Sequence, residues 1–231
     1  MSMPQPSLAT LLLVALNVGL YLRPLGPPEN TCLSMQGVWD LGQWQRLFLA
    51  PFHHLGWGHL GLNMGALLWL GGVLEARVGS AQAGWLLGAM TLLGGLVHLG
   101  LNAGLAALRG DSRHWKHCAV GFSGKELAYS WQETQESWLP ARRRKPGMGP
   151  RHPALPVPTF VGVIFSLEAM EGFLEPITIA TMGSITITTK WLCLAECLTV
   201  SLLYPRSSLT GHLSGLLVGL VLAATPLFTS L

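Results

Sequence analysis

The sequence predicts an all-α polytopic membrane protein, and three observations lead to this fold class. Half of the 231 residues are hydrophobic and only 11% are charged, whereas average proteins carry about 25% charged residues. The mean hydropathy is +0.44. Five segments have the apolar character of membrane helices, which need about 20 apolar residues to cross a bilayer. Together these values favour an integral membrane protein over a soluble domain.

The five apolar segments are spread along the whole chain. The first, residues 7–22, has no lysine or arginine before it and no small-residue cleavage site after it. A signal peptide usually has both, so we expect a retained membrane anchor. The other four segments are residues 57–74, 81–108, 191–204 and 209–231.

Two other stretches have a distinct composition. Residues 44–58, WQRLFLAPFHHLGWG, are rich in aromatic and apolar side chains, which is typical of a segment lying in the membrane interface. Residues 177–188, ITIATMGSITIT, are rich in β-branched side chains, so this stretch is not a confident helix.

Charge and cysteine content limit the possible partners. The net charge is only +3 and the basic residues are dispersed except at 142–145, which argues against nucleic acid as a partner. The four cysteines lack the spacing of a zinc site. Cys193 and Cys197 lie on an apolar segment and are expected to be buried. Cys32 and Cys118 fall in polar connections; they pair if both face an oxidising compartment and stay as thiols otherwise.

Polar residues inside apolar segments are costly and commonly functional. His59 and Asn63 are four residues apart, so they share one face of the second segment. Their alternative role is hydrogen bonding between helices. A second group is GFSG, residues 121–124. It is not the G-x-S-x-G turn of α/β hydrolases, because Lys125 stands where the last glycine belongs, and its alternative role is a small-residue helix contact.

A third group lies in the last segment. Gly211, Gly215 and Gly219 recur every four residues and form a stripe that permits close helix packing, and His212 flanks this stripe. A serine nucleophile needs a base within hydrogen-bond reach, which His212 can provide for Ser123.

The first two of these groups can also stabilise an oxyanion. The tetrahedral intermediate of acyl transfer needs preorganised donors, and Asn63, His59 and the backbone N–H of Ser123 can supply them. No aspartate is spare inside these segments, so the catalytic pair would be a serine–histidine dyad.

The order of these motifs resembles that of the rhomboid family of intramembrane serine proteases. The resemblance covers residues 1–124 and about 188–225. The matching residues are Trp44 and Arg46 of WQR, His59 and Asn63 of H-x-x-x-N, Glu75 and Arg77 of E-x-R, Gly121, Ser123 and Gly124 of GFSG, and His212 with Gly211, Gly215 and Gly219.

The resemblance implies a bundle of about six transmembrane helices in the endoplasmic reticulum membrane, without a metal or a cofactor. It implies endopeptidase cleavage in or near a membrane-embedded substrate helix, through an acyl-enzyme on Ser123 and with His212 as base and then acid. The partners would be transmembrane protein substrates and the lipid bilayer. Matching residues other than Ser123, His212, His59 and Asn63 would be structural.

The likeness stops after Gly124. In the family, GFSG opens a fourth transmembrane helix, but here residues 125–136 contain one lysine and three glutamates. A charged residue at the centre of a membrane helix costs roughly 2.5–3.5 kcal/mol. We therefore predict that an atypical polar insert disrupts the fourth helix.

The composition also suggests boundaries for this insert. Residues 125–187 read as a polar loop followed by a weak hydrophobic segment that carries Glu168, Glu171 and Glu175. Residues 1–124 and 188–231 would then form the rhomboid-like membrane domain.

Ser123 and His212 can lie on the same side of the membrane only if the chain between them crosses the membrane an even number of times. In one arrangement residues 120–137 span despite their charges, and the basic run 142–145 is cytosolic, as the positive-inside rule favours. In a second, residues 160–187 span instead, Ser123 sits at a loop and the basic run is lumenal. In a third, neither stretch spans and the dyad cannot form.

Two other functions stay open at this point. One is a pseudoprotease that binds transmembrane clients without cutting them, which a broken fourth helix favours. The other is a channel or transporter, which intramembrane histidines and Glu196 allow but which leaves the ordered motifs unexplained.

We interpret residues 125–187 as foreign to the ancestral domain, as alternative exon use or an imperfect gene model would produce. Sequencing of the transcripts tests this hypothesis. We expect the main message to lack most of this segment, whereas its recovery in every message would contradict the interpretation.

Overall fold

A computed structural model describes residues 8–26, 28–54, 56–120, 125–126, 162–182, 185–203 and 208–225. The helices are α1 Leu8–Leu22, α2 Pro28–Thr31, α3 Arg46–Leu49, α4 Trp57–Ala66, α5 Gly72–Val78, α6 Ser80–Arg109, α7 Ser112–Lys116, α8 Val163–Leu174, α9 Thr189–Leu203 and α10 Leu209–Ala223. The strands are β1 Ala119–Val120, β2 Lys125–Glu126, β3 Thr178–Met182 and β4 Ile185–Thr188.

The apolar segments found in the sequence coincide with helices. A π-helical turn, Leu67–Gly71, joins α4 to α5, so that the two form one continuous helical rod. Among the described residues, α6 is the helix whose length and hydropathy suffice to cross a membrane, while α1 and α10 are shorter apolar helices. The fold is mostly helical, as predicted, although the sequence did not predict the two short antiparallel strand pairs.

Contacts at both ends of α1 fix its direction relative to α4 and α5. Near the end of α1, Tyr21 packs edge-on against Trp57 at the start of α4, with ring centroids 4.7 Å apart. At its other end, the Glu75 carboxylate accepts hydrogen bonds of 2.8 Å from the N–H groups of Ala9 and Thr10 and of 2.7 Å from the Thr10 hydroxyl. A carboxylate is favoured there by the helix dipole. The two helical rods are therefore antiparallel.

α8 is largely buried and packs along α10. A Cβ added at Gly215 would overlap the carbonyl oxygen of Gly162, and one added at Gly219 would overlap that of Ser166. The residue numbers of both helices rise together along this contact, so α8 is parallel to α10. The sequence suggested a weak hydrophobic segment in a foreign insert here, but the structure places α8 inside the bundle.

Three apolar clusters hold the described residues together. The largest joins α4, α5, α6, α8 and α10 and includes Leu60, Met64, Leu74, Leu86, Met90, Ile164, Leu167 and Val218. A second joins the loop after α1 to α6 through Leu33, Val38, Leu47, Ala50 and Leu99. The third joins α8, α9 and α10 and contains Cys193 and Cys197. Both are buried, as predicted, and both are free thiols.

The β-branched stretch between α8 and α9 forms β3 and β4. The strands pair antiparallel, with Thr178 opposite Thr188 and Met182 opposite Ile185. This agrees with the sequence-based expectation that the stretch is not a confident helix, because β-branched side chains fit a pleated surface better than a helical one.

Replacement of Gly219 by alanine is expected to separate α8 from α10, because the added carbon would overlap the Ser166 carbonyl oxygen and lie 2.9 Å from the Ala169 Cβ. Overpacking of this kind costs about 1–3 kcal/mol, which thermal unfolding in detergent micelles would report as a lower midpoint. Gly88→Ala in α6 is the matched control, because no atom lies within 4 Å of its added carbon. Equal midpoints for the two variants would contradict this packing.

Candidate active site

His212 lies in the first turns of α10, in a helix start that side chains hold in place. The Ser208 hydroxyl caps the helix by accepting a hydrogen bond of 3.1 Å from the Gly211 N–H. The Ser214 hydroxyl donates one of 2.6 Å to the Gly211 carbonyl oxygen. The His212 side chain is fully buried. Neither of its ring nitrogens has a hydrogen-bond partner within the described part of the chain.

A buried polar network joins the start of α10 to α6. The Asn102 Nδ2 group donates to the Thr210 hydroxyl at 3.0 Å and to the His98 carbonyl oxygen at 2.9 Å. The Thr210 hydroxyl also lies 3.1 Å from that of Ser208. Because Thr210 is two residues before His212, the network sets the position of the imidazole relative to α6. The sequence reasoning missed it, although His98 and Asn102 repeat the H-x-x-x-N spacing of α4.

Phe165 of α8 covers one side of the His212 imidazole. The ring centroids are 4.9 Å apart and the ring planes are inclined by 31°. The sequence reasoning did not single out Phe165, because an apolar side chain in a chemically undistinguished stretch gives no sign of the residue that it contacts. α8 therefore forms one wall of the candidate site.

His59 and Asn63 lie one turn apart on α4 and are both buried. The ring of His54, in the loop before α4, lies 5.1 Å from that of His59. Burial lowers the pKa of His54 to about 4, so this second histidine is neutral at physiological pH. The sequence reasoning did not assign His54 a role, although its position in an apolar, aromatic stretch was visible.

Ser123 lies outside the described residues, together with Gly121 and Gly124. The backbone on either side is described, and Val120 at the end of β1 pairs with Lys125 at the start of β2. The two residues directly after GFSG, Lys125 and Glu126, are therefore paired back onto the incoming strand.

The strand that leads to Ser123 lies at the same end of the bundle as His212. Ala119 exchanges two backbone hydrogen bonds with Leu33, of 2.7 and 2.9 Å. It also lines a cavity of about 60 Å³ together with Gly162 before α8 and Gly211 of α10. Gly211 directly precedes His212, so β1 lies near the part of the α10 backbone that carries the imidazole.

A disulfide between Cys32 and Cys118 ties the loop after α1 to the residue before β1. This decides between the two states that the sequence left open for these cysteines. Arg46 supports the same loop: it is buried and donates to the Cys32 carbonyl oxygen at 2.9 Å and to Gln43 Oε1 at 2.7 Å. Trp44, by contrast, is half exposed.

The E-x-R residues contact two different helices at the other end of the bundle. Glu75 holds the amino end of α1 through the hydrogen bonds described above. The Arg77 guanidinium lies 2.9 Å from carboxylate oxygens of both Glu171 and Glu175, near the carboxyl end of α8. These contacts support the structural roles that the motif suggests for the pair.

A family model described as the Rhomboid domain matches residues 41–227, which is most of the chain. The chain belongs to the rhomboid family. It is 30% identical over 226 residues to Rhomboid-related protein 4 of Homo sapiens and of Mus musculus, covering 98% of this chain and 59% of each relative. It is 26% identical over 218 residues to Rhomboid-like protein 14, mitochondrial, of Arabidopsis thaliana, covering 90% of this chain and 53% of the relative.

The match to the rhomboid family has two direct consequences. This rhomboid is an integral membrane protein, and it is of the intramembrane protease or pseudoprotease kind. The chain spans about three fifths of the length of the mammalian relatives. The name of the plant relative assigns that protein to mitochondria, so the family domain does not fix one organelle.

The disulfide of this rhomboid predicts a definite thiol-labelling pattern. In the denatured, unreduced protein only Cys193 and Cys197 should react with a maleimide polymer, and all four cysteines should react after reduction. The gel shift of the labelled protein reports the number of thiols. Cys32→Ser is the control and should leave Cys118 reactive without reduction. Labelling of all four cysteines before reduction would contradict the pairing.

Proposed function

We propose that this rhomboid is an intramembrane serine endopeptidase that cleaves membrane-embedded substrate helices through Ser123 and His212. The observation that carries the proposal is the state of His212, whose buried imidazole has no hydrogen-bond partner within the described residues. A buried polar group is costly unless it is hydrogen-bonded, so an unsatisfied imidazole is well suited to receive a hydroxyl group from outside those residues.

The chemistry assigns a role to each group. His212 accepts the hydroxyl proton of Ser123 while the oxygen attacks the scissile carbonyl, and it then gives the proton to the departing amine. Asn63, His59 and the Ser123 backbone N–H would donate hydrogen bonds to the oxyanion. Water then hydrolyses the acyl-enzyme with His212 as base, and no cofactor is needed.

The chain length between Ala119 and Ser123 is compatible with a pairing of Ser123 with His212. Ser123 follows Ala119 by four residues, a reach of up to about 13 Å for extended chain. Ala119 lines the same cavity as Gly211, which is the neighbour of His212. This proximity supports the dyad.

The direction of α8 supports a bundle of about six helices. α8 runs parallel to α10, so it begins at the end of the bundle where His212 lies. This favours the second of the three arrangements considered from the sequence, in which a stretch after residue 160 supplies the fourth crossing. Ser123 and His212 then share one side of the membrane.

We assign the endoplasmic reticulum membrane as the location and transmembrane proteins as substrates. The Cys32–Cys118 disulfide supports an oxidising compartment on the side of the loop after α1. The endoplasmic reticulum lumen is such a compartment, and the catalytic residues would face it.

The alternative is a pseudoprotease that holds transmembrane clients without cutting them. Two observations favour it: Phe165 covers the His212 ring, and Lys125, the residue directly after GFSG, belongs to strand β2 and pairs with Val120 of β1. A chain that cannot align Ser123 would still expose the apolar faces that a client helix could contact.

Cleavage of a transmembrane reporter in membranes distinguishes the two functions. Ser123→Ala and His212→Ala should each abolish cleavage, because loss of either member of such a pair lowers kcat by roughly 10⁴-fold or more. Ser112→Ala and His114→Ala in the exposed helix α7 are the matched controls and should cleave normally. Cleavage that survives both catalytic substitutions would refute the protease, and absence of cleavage by the unmodified chain would favour the pseudoprotease.

A further inference from the structure

α8 begins directly beside the candidate catalytic histidine. Gly162 precedes the helix with φ of +70°, a backbone conformation that suits glycine. Its carbonyl oxygen lies so close to Gly215 that a side chain there would overlap it. Gly215 follows His212 by less than one helical turn, so Gly162 lies close to the level of the imidazole along α10.

Further contacts hold the first turns of α8 in this position. The Ser166 hydroxyl lies 2.9 Å from the carbonyl oxygens of both Gly162 and Gly215, and its single proton is donated to one or the other. Ile164 and Leu167 are fully buried in the main apolar cluster. The amino end of α8 is therefore a fixed point of the bundle, and a residue attached there would be fixed with it.

The sequence before α8 repeats the sequence around Ser123. Phe122-Ser123-Gly124 and Phe160-Val161-Gly162 share the spacing F-x-G, with valine standing where the first has serine. Gly162 is followed by Val163, the first residue of α8, whereas Gly124 is followed by Lys125 of β2. If Gly124 took the place of Gly162, Ser123 would take the place of Val161 at the amino end of α8.

We infer that residues 125–162 separate Ser123 from the helix that should carry it, and that direct joining of Gly124 to Val163 would align Ser123 with His212. This inference rests on the proposed protease function and narrows the foreign segment from 125–187 to 125–162. The remainder, α8 with β3 and β4, belongs to the membrane domain, because α8 contributes to its main apolar cluster.

The two chains should differ in reactivity because they hold Ser123 in different positions. In the complete chain Lys125 is paired with Val120, so Ser123 is attached to a short strand pair rather than to a buried helix. Displacement of a reacting group by about 1 Å can lower the rate roughly 100-fold. The complete chain should therefore react slowly, and the joined chain rapidly.

Reaction with a fluorophosphonate probe measures this alignment without a substrate. The serine oxygen forms a bond to phosphorus, the phosphorus–fluorine bond breaks, fluoride leaves, and His212 takes the hydroxyl proton. A variant lacking residues 125–162 should be labelled about 100-fold faster than the complete chain. The labelling should disappear with Ser123→Ala. The Cys32–Cys118 disulfide and a monodisperse micellar species serve as the test of folding.

A second variant decides the question even if the deletion does not fold. Val161→Ser, made in the complete chain together with Ser123→Ala, restores F-S-G before α8 and should be labelled at residue 161, as mapped by mass spectrometry. Val161→Ala in the same background is the matched control and should stay unlabelled.

The outcomes separate this inference from the proposed function. If the folded deletion variant and the complete chain are labelled on Ser123 at equal rates, the protease stands and the inference is overturned. If the complete chain, the deletion variant and the Val161→Ser variant are all folded and none is labelled, both are overturned. Rapid labelling of either altered chain supports both.

Discussion

The close contact between α8 and the glycine stripe of α10 is the constraint on which the rest of the bundle depends. Lipid provides no hydrophobic drive between helices, so close packing of small residues must hold them together. Gly215 and Gly219 let the backbone of α8 approach to carbonyl contact. Along this contact the two helices run parallel, Phe165 lies against His212, and the amino end of α8 lies at the candidate site.

Polar contacts at the two ends of the bundle fix the positions of the helices along one another, which apolar packing alone would not determine. At one end the carboxylate of Glu75 holds α1 and the guanidinium of Arg77 holds α8. At the other, the Asn102–Thr210 hydrogen bond joins α6 to α10, and the disulfide anchors the loop beside β1. Polar groups are costly in a membrane and therefore stay paired. His212, unsatisfied within the described residues, lies close to the second of these ends.

The helices were predictable because a membrane leaves few choices: backbone groups must be satisfied within each segment. The motifs likewise pointed to the family and to His59, Asn63 and His212. α8 was visible only as part of a weak hydrophobic segment and as one of two possible fourth crossings, because its glutamates made it look unfit for a bundle. The structure pairs Glu171 and Glu175 with Arg77, a partner distant in sequence. The disulfide could not be predicted, because the pairing of two cysteines depends on the compartment that they face and not on the local sequence. The contact of Phe165 with His212 could not be predicted, because it arises only from the parallel packing of α8 on α10.

Cysteine cross-linking measures the parallel packing of α8 and α10 most directly. With Cys193 and Cys197 replaced by alanine, Phe165→Cys combined with His212→Cys should form a disulfide on mild oxidation in membranes, because the two rings are 4.9 Å apart. Leu174→Cys combined with His212→Cys should not, because Leu174 lies about 14 Å farther along the helix axis. Cross-linking of the second pair in preference to the first would contradict the arrangement.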